Sequence, residues 1–231
     1  MKAILFDVDD TLYDLAVPFY NAYRELFPKK EGIPLNELFI ASRKYSEETF
    51  QQSLSGELSM EEMYRCRIQK TFADFQVQIS DETAMEFQAC YARRQAEISL
   101  SGTMQKILSL CAEKWIPGII TNGPSAHQWN KIRTLQLERY ISKEHIFVSG
   151  DLGTSKPEKE IFLHAVSHMG LSPEEACFVG DSFQNDVAGA RNAGLNPIWL
   201  NRRGHKHPSK AAPVETVRTE EELYALLTQM S

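Results

Sequence analysis

Cysteine is scarce and unpaired in this chain: Cys66, Cys90, Cys111 and Cys177 are scattered, with no CxxC. That spacing argues against a disulfide framework or a thiolate zinc site, and it fits a reducing compartment. No apolar run approaches the ~20 residues needed to cross a bilayer. The first residues carry one lysine, a short apolar stretch and then acids, too soon charged for a secretion signal. The expectation is a cytoplasmic protein with no membrane partner. Basic runs and Arg/Lys stripes are also missing. With 25 basic against 31 acidic residues the formal charge is −6, so the long-range field repels phosphate backbones and argues against nucleic acid as a partner. An anionic ligand must then be drawn in by a local cation or a metal.

What is present is ordinary for a soluble globular chain, at 42% hydrophobic and 24% charged residues. Its 231 residues suffice for one large α/β domain, or for a core with a smaller insertion. Apolar runs with strand character recur at 3–6, 116–120, 146–148, 177–179 and 197–200, and helical patterns at 104–114, 126–137, 158–169 and 186–193 lie between the later ones. This alternation predicts an α/β fold with a parallel sheet covered on both faces, and a site beyond the carboxyl ends of its strands. Residues 15–98 break the alternation with long amphipathic patterns and no convincing strand. They read as an inserted helical domain between core segments 1–14 and 99–231. Ser59 with Glu62, Ser172 with Glu175 and Thr219 with Glu222 have the spacing of capping boxes.

Chemistry-bearing residues gather at the strand ends. "KAILFDVDDTLYD", residues 2–14, drives Asp7, Asp9 and Asp10 together after an apolar run, where like charges repel. Ending a strand in a turn is one use of aspartate. A calcium loop fails on detail, because Leu12 stands where the turn needs Gly and Pro18 where a bidentate Glu belongs. A receiver domain needs an Asp at the end of a middle strand, and the run 116–120 leads into Thr121 and Asn122 instead. Three further stations follow strands. "GIITNG" (118–123) offers a hydroxyl and a tight turn whose N–H groups suit an anion; "SKPEKEIF" (155–162) offers Lys156 before a proline able to open a helix; "FVGDSFQND" (178–186) ends in carboxylates.

In that order, "DVDDT", "TNG", "KP" and "GDSFQND" resemble the four motifs of the haloacid dehalogenase (HAD) superfamily, and the insertion after the first resembles its helical-bundle cap. The resemblance implies a Rossmann-like core and an Mg²⁺-dependent phosphatase for a small phosphorylated metabolite. It casts Asp7 as the nucleophile that forms an aspartyl-phosphate, and Asp9 as acid for the leaving alkoxide and base for water. Thr121 and the N–H groups of Asn122 and Gly123 would grip the phosphoryl group while Lys156 offsets its charge. Mg²⁺ would be held by Asp7, the main-chain carbonyl of Asp9 and Asp181, with Asn185 and Asp186 outside those ligands. The superfamily's 2-haloacid dehalogenases lack the second acid of the first motif, so the presence of Asp9 favours phosphoryl transfer. A phosphomutase would use the same residues and stays open, as does a relative that binds phosphate without turnover. "GELSMEEMYRCRIQKTF" (56–72), with "GIITNG" and "IWLN" (198–201), resembles the pyrimidine 5'-nucleotidases of the helical-cap branch. That implies a nucleoside 5'-monophosphate as substrate and Arg67 as a residue facing it. Phe19, Tyr20, Tyr45 and Phe50 could stack on a base but read more readily as core, and His164 with His168 lacks the glutamate of a zinc-protease helix.

Overall fold

Six strands lie side by side in one sheet in the order β3-β2-β1-β4-β5-β6: β1 (Ala3–Phe6), β2 (Ile116–Thr121), β3 (Ile146–Val148), β4 (Ala176–Gly180), β5 (Asn196–Leu200) and β6 (Glu215–Val217). Every pairing is parallel. The computed structural model describes residues 1–28, 32–208 and 211–230. It divides into two compact units, Met1–Asp14 with Ser99–Ser231, and Leu15–Ile98.

In the first unit β1 is central and all four of its residues are fully buried. An unbroken apolar run, rather than an alternating one, is what a strand needs when both its faces are covered. The chain leaves β1 for β2 on one side and later returns as β4 on the other, so the crevice at the carboxyl ends of β1, β2 and β4 is the switch point where such sheets hold ligands.

The second unit contains α1 (Ala16–Leu26), α2 (Leu35–Leu54), α3 (Met60–Ala73) and α4 (Asp81–Gln95), and no strand among its described residues. Its centre is aromatic: Phe19 packs edge-on against Phe39, Phe87 and Tyr91, and Phe72 against Phe87. Helix α3 opens with a complete capping box, the Ser59 hydroxyl accepting from the Glu62 N–H and the Glu62 carboxylate from the Ser59 N–H.

Around the sheet lie α5 (Gly102–Lys114), α6 (Ser125–Thr134), α7 (Ser149–Leu152), α8 (Lys159–His168), α9 (Gly189–Asn192) and α10 (Glu220–Gln229). Several boundaries depart from the sequence expectation. The helix expected over 126–137 stops at Thr134, with Gln136 in the left-handed region before a 3₁₀ turn at Leu137–Arg139. The one expected over 186–193 begins three residues sooner as a π-helical turn, Phe183–Ala188, ahead of α9. Helix α8 starts at Lys159, which leaves Pro157 in the preceding turn. Strand β6 was not expected, because Glu215 and Thr216 are exposed and only Val217 is buried, so its three residues show no apolar run. At α10 the Glu222 carboxylate takes the Arg218 N–H, while Thr219 still caps the Glu222 N–H.

All four cysteines are free, and burial pushes the Cys111 and Cys177 thiols up to about 12. No helix among the described residues is long and apolar enough to cross a membrane. Phe72 is fully buried, and truncating such a ring leaves a cavity costing about 3–5 kcal/mol. Phe72→Ala is therefore expected to lower denaturant stability by that amount, with the loss of amide-exchange protection concentrated in residues 15–98.

Candidate active site

Asp7 follows β1 directly, and its own N–H donates to the Val179 carbonyl at 2.9 Å, so the sheet fixes where it stands. Lys156, only 4% exposed, donates to Asp7 Oδ1 at 2.6 Å and to Asp186 Oδ1 at 2.7 Å. The Asp186 Oδ2 accepts the Ser182 N–H at 2.9 Å. Asp186 folds back beneath the end of β4 because Gly180 has no side chain: a Cβ there would lie 2.4 Å from the Asp186 carboxyl. Asn122 holds the backbone of Lys156 at both ends, Oδ1 accepting its N–H at 2.9 Å and Nδ2 donating to its carbonyl at 2.8 Å.

Asp9 lies in a separate set of contacts. Lys131, 6% exposed, donates to its two carboxylate oxygens at 2.7 and 2.6 Å, Tyr13 to Oδ1 at 2.5 Å and Gln128 to Oδ2 at 3.2 Å. Gln128 Nε2 also meets Thr121 Oγ1 at 2.6 Å and the Asn122 carbonyl at 2.7 Å. Asp10 turns away in the left-handed region at φ 62°, where it is buried and paired with Arg203, whose Nε donates to Oδ2 at 2.8 Å. Arg203 also bonds Asp14.

Asp7, Asp181 and Asp186 each offer a carboxylate oxygen within 4.8 Å of the others. The Asp181 carbonyl is held by Trp199 Nε1 at 2.8 Å. Burial pushes the Asp7 carboxyl up to about 7; Lys156 opposes this, while Asp186 and Asp9 add to it. Lys156 is itself raised above the ordinary lysine range, because Asp186 and Asp7 outweigh the burial that alone would lower it. Three carboxylates against one lysine leave a surplus of negative charge on hard oxygen donors. That donor set fits Mg²⁺, and a divalent cation there would return Asp7 to its ionised form. Asp186 lies within this trio with both oxygens already accepting, Oδ1 from Lys156 and Oδ2 from the Ser182 N–H, and the Asp9 side chain lies with Lys131.

The grip expected from "TNG" is revised in one place. The Gly123 N–H donates to Ser149 Oγ at 2.9 Å rather than standing open for a phosphoryl oxygen. Gly123 adopts φ 144°, and the close approach of Gly150, whose N–H reaches the Gly123 carbonyl at 3.2 Å, draws this turn onto the start of α7. Thr121 is buried and accepts from Gln128, which leaves its own proton to donate elsewhere. The Asn185 N–H donates to Ser182 Oγ at 3.3 Å.

In the helical unit Arg67 is bonded to Gln88 and to Ser46 at 3.4 Å, with its guanidinium 5.0 Å from the Tyr64 ring centre. Its buried Nε has no partner, and burial holds the guanidinium below its ordinary range. Arg65 pairs with Asp81 at 2.9 Å, Phe19 is core, and His164 and His168 both pack edge-on against Phe147.

Lys131, Gln128 and Arg203 escaped the reading of the motifs. A signal for the first two exists: positions 128, 131, 132 and 135 form one face of a helix, and Gln and Lys occupy two places where Ile132 and Leu135 show that face to be buried.

A model of the haloacid dehalogenase-like hydrolases matches residues 1–194. The chain belongs to that family. It is 27% identical to the HAD-hydrolase YfnB of Bacillus subtilis over 228 residues, covering 98% of this chain and 95% of that one. It is 38% identical to the pyrimidine 5'-nucleotidase YjjG of Escherichia coli over 112 residues, covering 48% of each. With a glyceraldehyde 3-phosphate phosphatase of Pyrococcus furiosus the identity is 37% over 99 residues, 43% of this chain and 40% of that relative. The crystal structure of magnesium-bound YfnB superposes with a TM-score of 0.72 at 26% identity, over 98% of both chains.

Because the folded pKa of Asp7 lies above its ordinary value of 3.8, the folded state holds that proton more tightly than the unfolded chain. The stability the proton supplies is complete below about pH 4 and is lost as pH rises through about 7. In EDTA the melting temperature is expected to fall over that window in the wild type and to fall less in Asp7→Asn. Added Mg²⁺ should raise it in the wild type at pH 7.5 and little in the variant; equal responses of both proteins would contradict the assignment of Asp7.

Proposed function

We propose that the protein is an Mg²⁺-dependent phosphatase that hydrolyses a small phosphomonoester through an aspartyl-phosphate on Asp7. The observation that carries this reading is the bridge of Lys156 between Asp7 and Asp186, with an Asp181 carboxylate oxygen within 4.8 Å of theirs. The names of relatives, among them a pyrimidine 5'-nucleotidase and a glyceraldehyde 3-phosphate phosphatase, support a phosphomonoester as the substrate class.

In this reading Asp7 Oδ attacks phosphorus in line with the departing ester oxygen, and Lys156 balances the charge that the carboxylate and the phosphoryl oxygens share. Thr121 donates its remaining proton to a phosphoryl oxygen. Asp9 protonates the leaving alkoxide and then takes a proton from the water that cleaves the acyl phosphate. Bound Mg²⁺, held by Asp7, Asp181 and the main-chain carbonyl of Asp9, would supply Lewis-acid stabilisation of the transferring group. Asp186 orients Lys156. Displacing halide from carbon needs no acid for the leaving group, so Asp9 favours phosphoryl transfer over dehalogenation. The helical unit, residues 15–98, is assigned the choice of substrate, with a nucleoside 5'-monophosphate as the first class to try and Arg67 as its contact.

Phosphate release should be screened over nucleoside monophosphates, sugar phosphates and glyceraldehyde 3-phosphate, with and without EDTA. Release that EDTA abolishes and Mg²⁺ restores is expected, with Asp7→Asn slower by about a thousandfold or more. Undiminished release by that variant would remove Asp7 from the chemistry, and EDTA-insensitive release would remove the metal.

A further inference from the structure

We propose that Lys131 is a positioning residue for the acid step, acting through Asp9 rather than touching the substrate. The inference rests on the phosphatase reading and adds a residue that the four motifs do not contain. Lys131 is buried on a short helix, its ammonium within 2.7 Å of both Asp9 oxygens. Burying an ammonium costs several kcal/mol unless it is paired, and an apolar side chain would fill the same place but leave the Asp9 carboxylate without its cation. Packing alone therefore gives no reason for a lysine there.

One turn away on the same face, Gln128 reaches Asp9, Thr121 and the Asn122 carbonyl with a single amide nitrogen. Its Oε1 is buried without a partner. Two of those acceptors, a carboxylate and a peptide carbonyl, accept only, which fixes the amide with its nitrogen toward Asp9. Helix α6 thus presents a paired donor face, Gln128 and Lys131, that sets where the Asp9 carboxyl stands relative to Thr121.

The consequence follows from charge. When Asp9 gives its proton to a departing alkoxide, the O–H bond breaks, the new O–H bond forms on the leaving group, and a negative charge appears on Asp9. A cation already in place stabilises that charge as it develops. In kcat/KM, which reports events up to departure of the alcohol and not the later acyl-phosphate hydrolysis common to both esters, the benefit appears only where the leaving group needs a proton, so it is large for an alkyl ester and small for p-nitrophenyl phosphate.

The test compares kcat/KM of wild type, Lys131→Met and Lys131→Arg on p-nitrophenyl phosphate and on the best alkyl phosphate from the substrate screen. Lys131→Met is expected to lose at least tenfold in kcat/KM on the alkyl ester and less than threefold on p-nitrophenyl phosphate, and Lys131→Arg to regain most of the loss. Both esters are measured on one preparation, so a partly inactive sample cancels in the ratio. Lys131→Gln is carried alongside in case the methionine variant does not fold. Equal losses on the two esters, or no loss, overturn the role of Lys131 while the phosphatase reading stands. A wild type inactive on both overturns that reading and this inference with it.

Discussion

Three aspartates within four positions, Asp7, Asp9 and Asp10, can share the end of a buried strand only if each meets a different cation. The fold supplies three from distant parts of the chain: Lys156 for Asp7, Lys131 for Asp9 and Arg203 for Asp10. Those cations follow β3, lie on α6 and follow β5, so the strand order around β1 is also what neutralises the acids. Removing one partner of a buried pair leaves an uncompensated charge and costs more than the pair contributes.

The pairing also divides labour. Asp10 is withdrawn into the left-handed region and ties residues 10–14 to the loop after β5. Asp7 shares its lysine with Asp186 and faces Asp181, an arrangement with surplus negative charge that suits a divalent ion. Asp9 has Lys131 and Tyr13 on its oxygens. Neighbouring carboxylates of the same residue type are thereby placed in different environments, which is how two acids take different roles in one site. Gly180 and Gly150 belong to the same economy of space: the first leaves room for Asp186, and the absence of a Cβ on the second, which would lie 2.7 Å from the Gly123 carbonyl, lets the turn after β2 meet α7.

Much of this was legible in the sequence because strand-end residues are local. An apolar run ending in Asp7, in Thr121 or in Asp181 announces both the strand and the polar group that leaves it. Lys156 was legible from its proline. Lys131 and Arg203 were not, since a lysine on a helix and an arginine in a loop look solvated until tertiary contacts bring an acid to them. The donation of the Gly123 N–H to Ser149 was hidden for the same reason: it depends on β3 delivering Ser149 beside the turn. Strand β6 was missed because an edge strand of three residues with only Val217 buried shows no pattern, and the π-turn at Phe183–Ala188 because its residues give no 3.6-residue periodicity.

The central claim is that the three acids are kept apart in function by three separate cations. A crystal structure with Mg²⁺ and orthovanadate tests it most directly. Vanadium is expected in line with Asp7 Oδ, with Lys156 still bridging Asp7 and Asp186, the Asp9 carboxyl beside Lys131 outside the metal's ligands, and Asp10 on Arg203. An Asp9 carboxylate bound to the metal, or vanadium remote from Asp7, would contradict it.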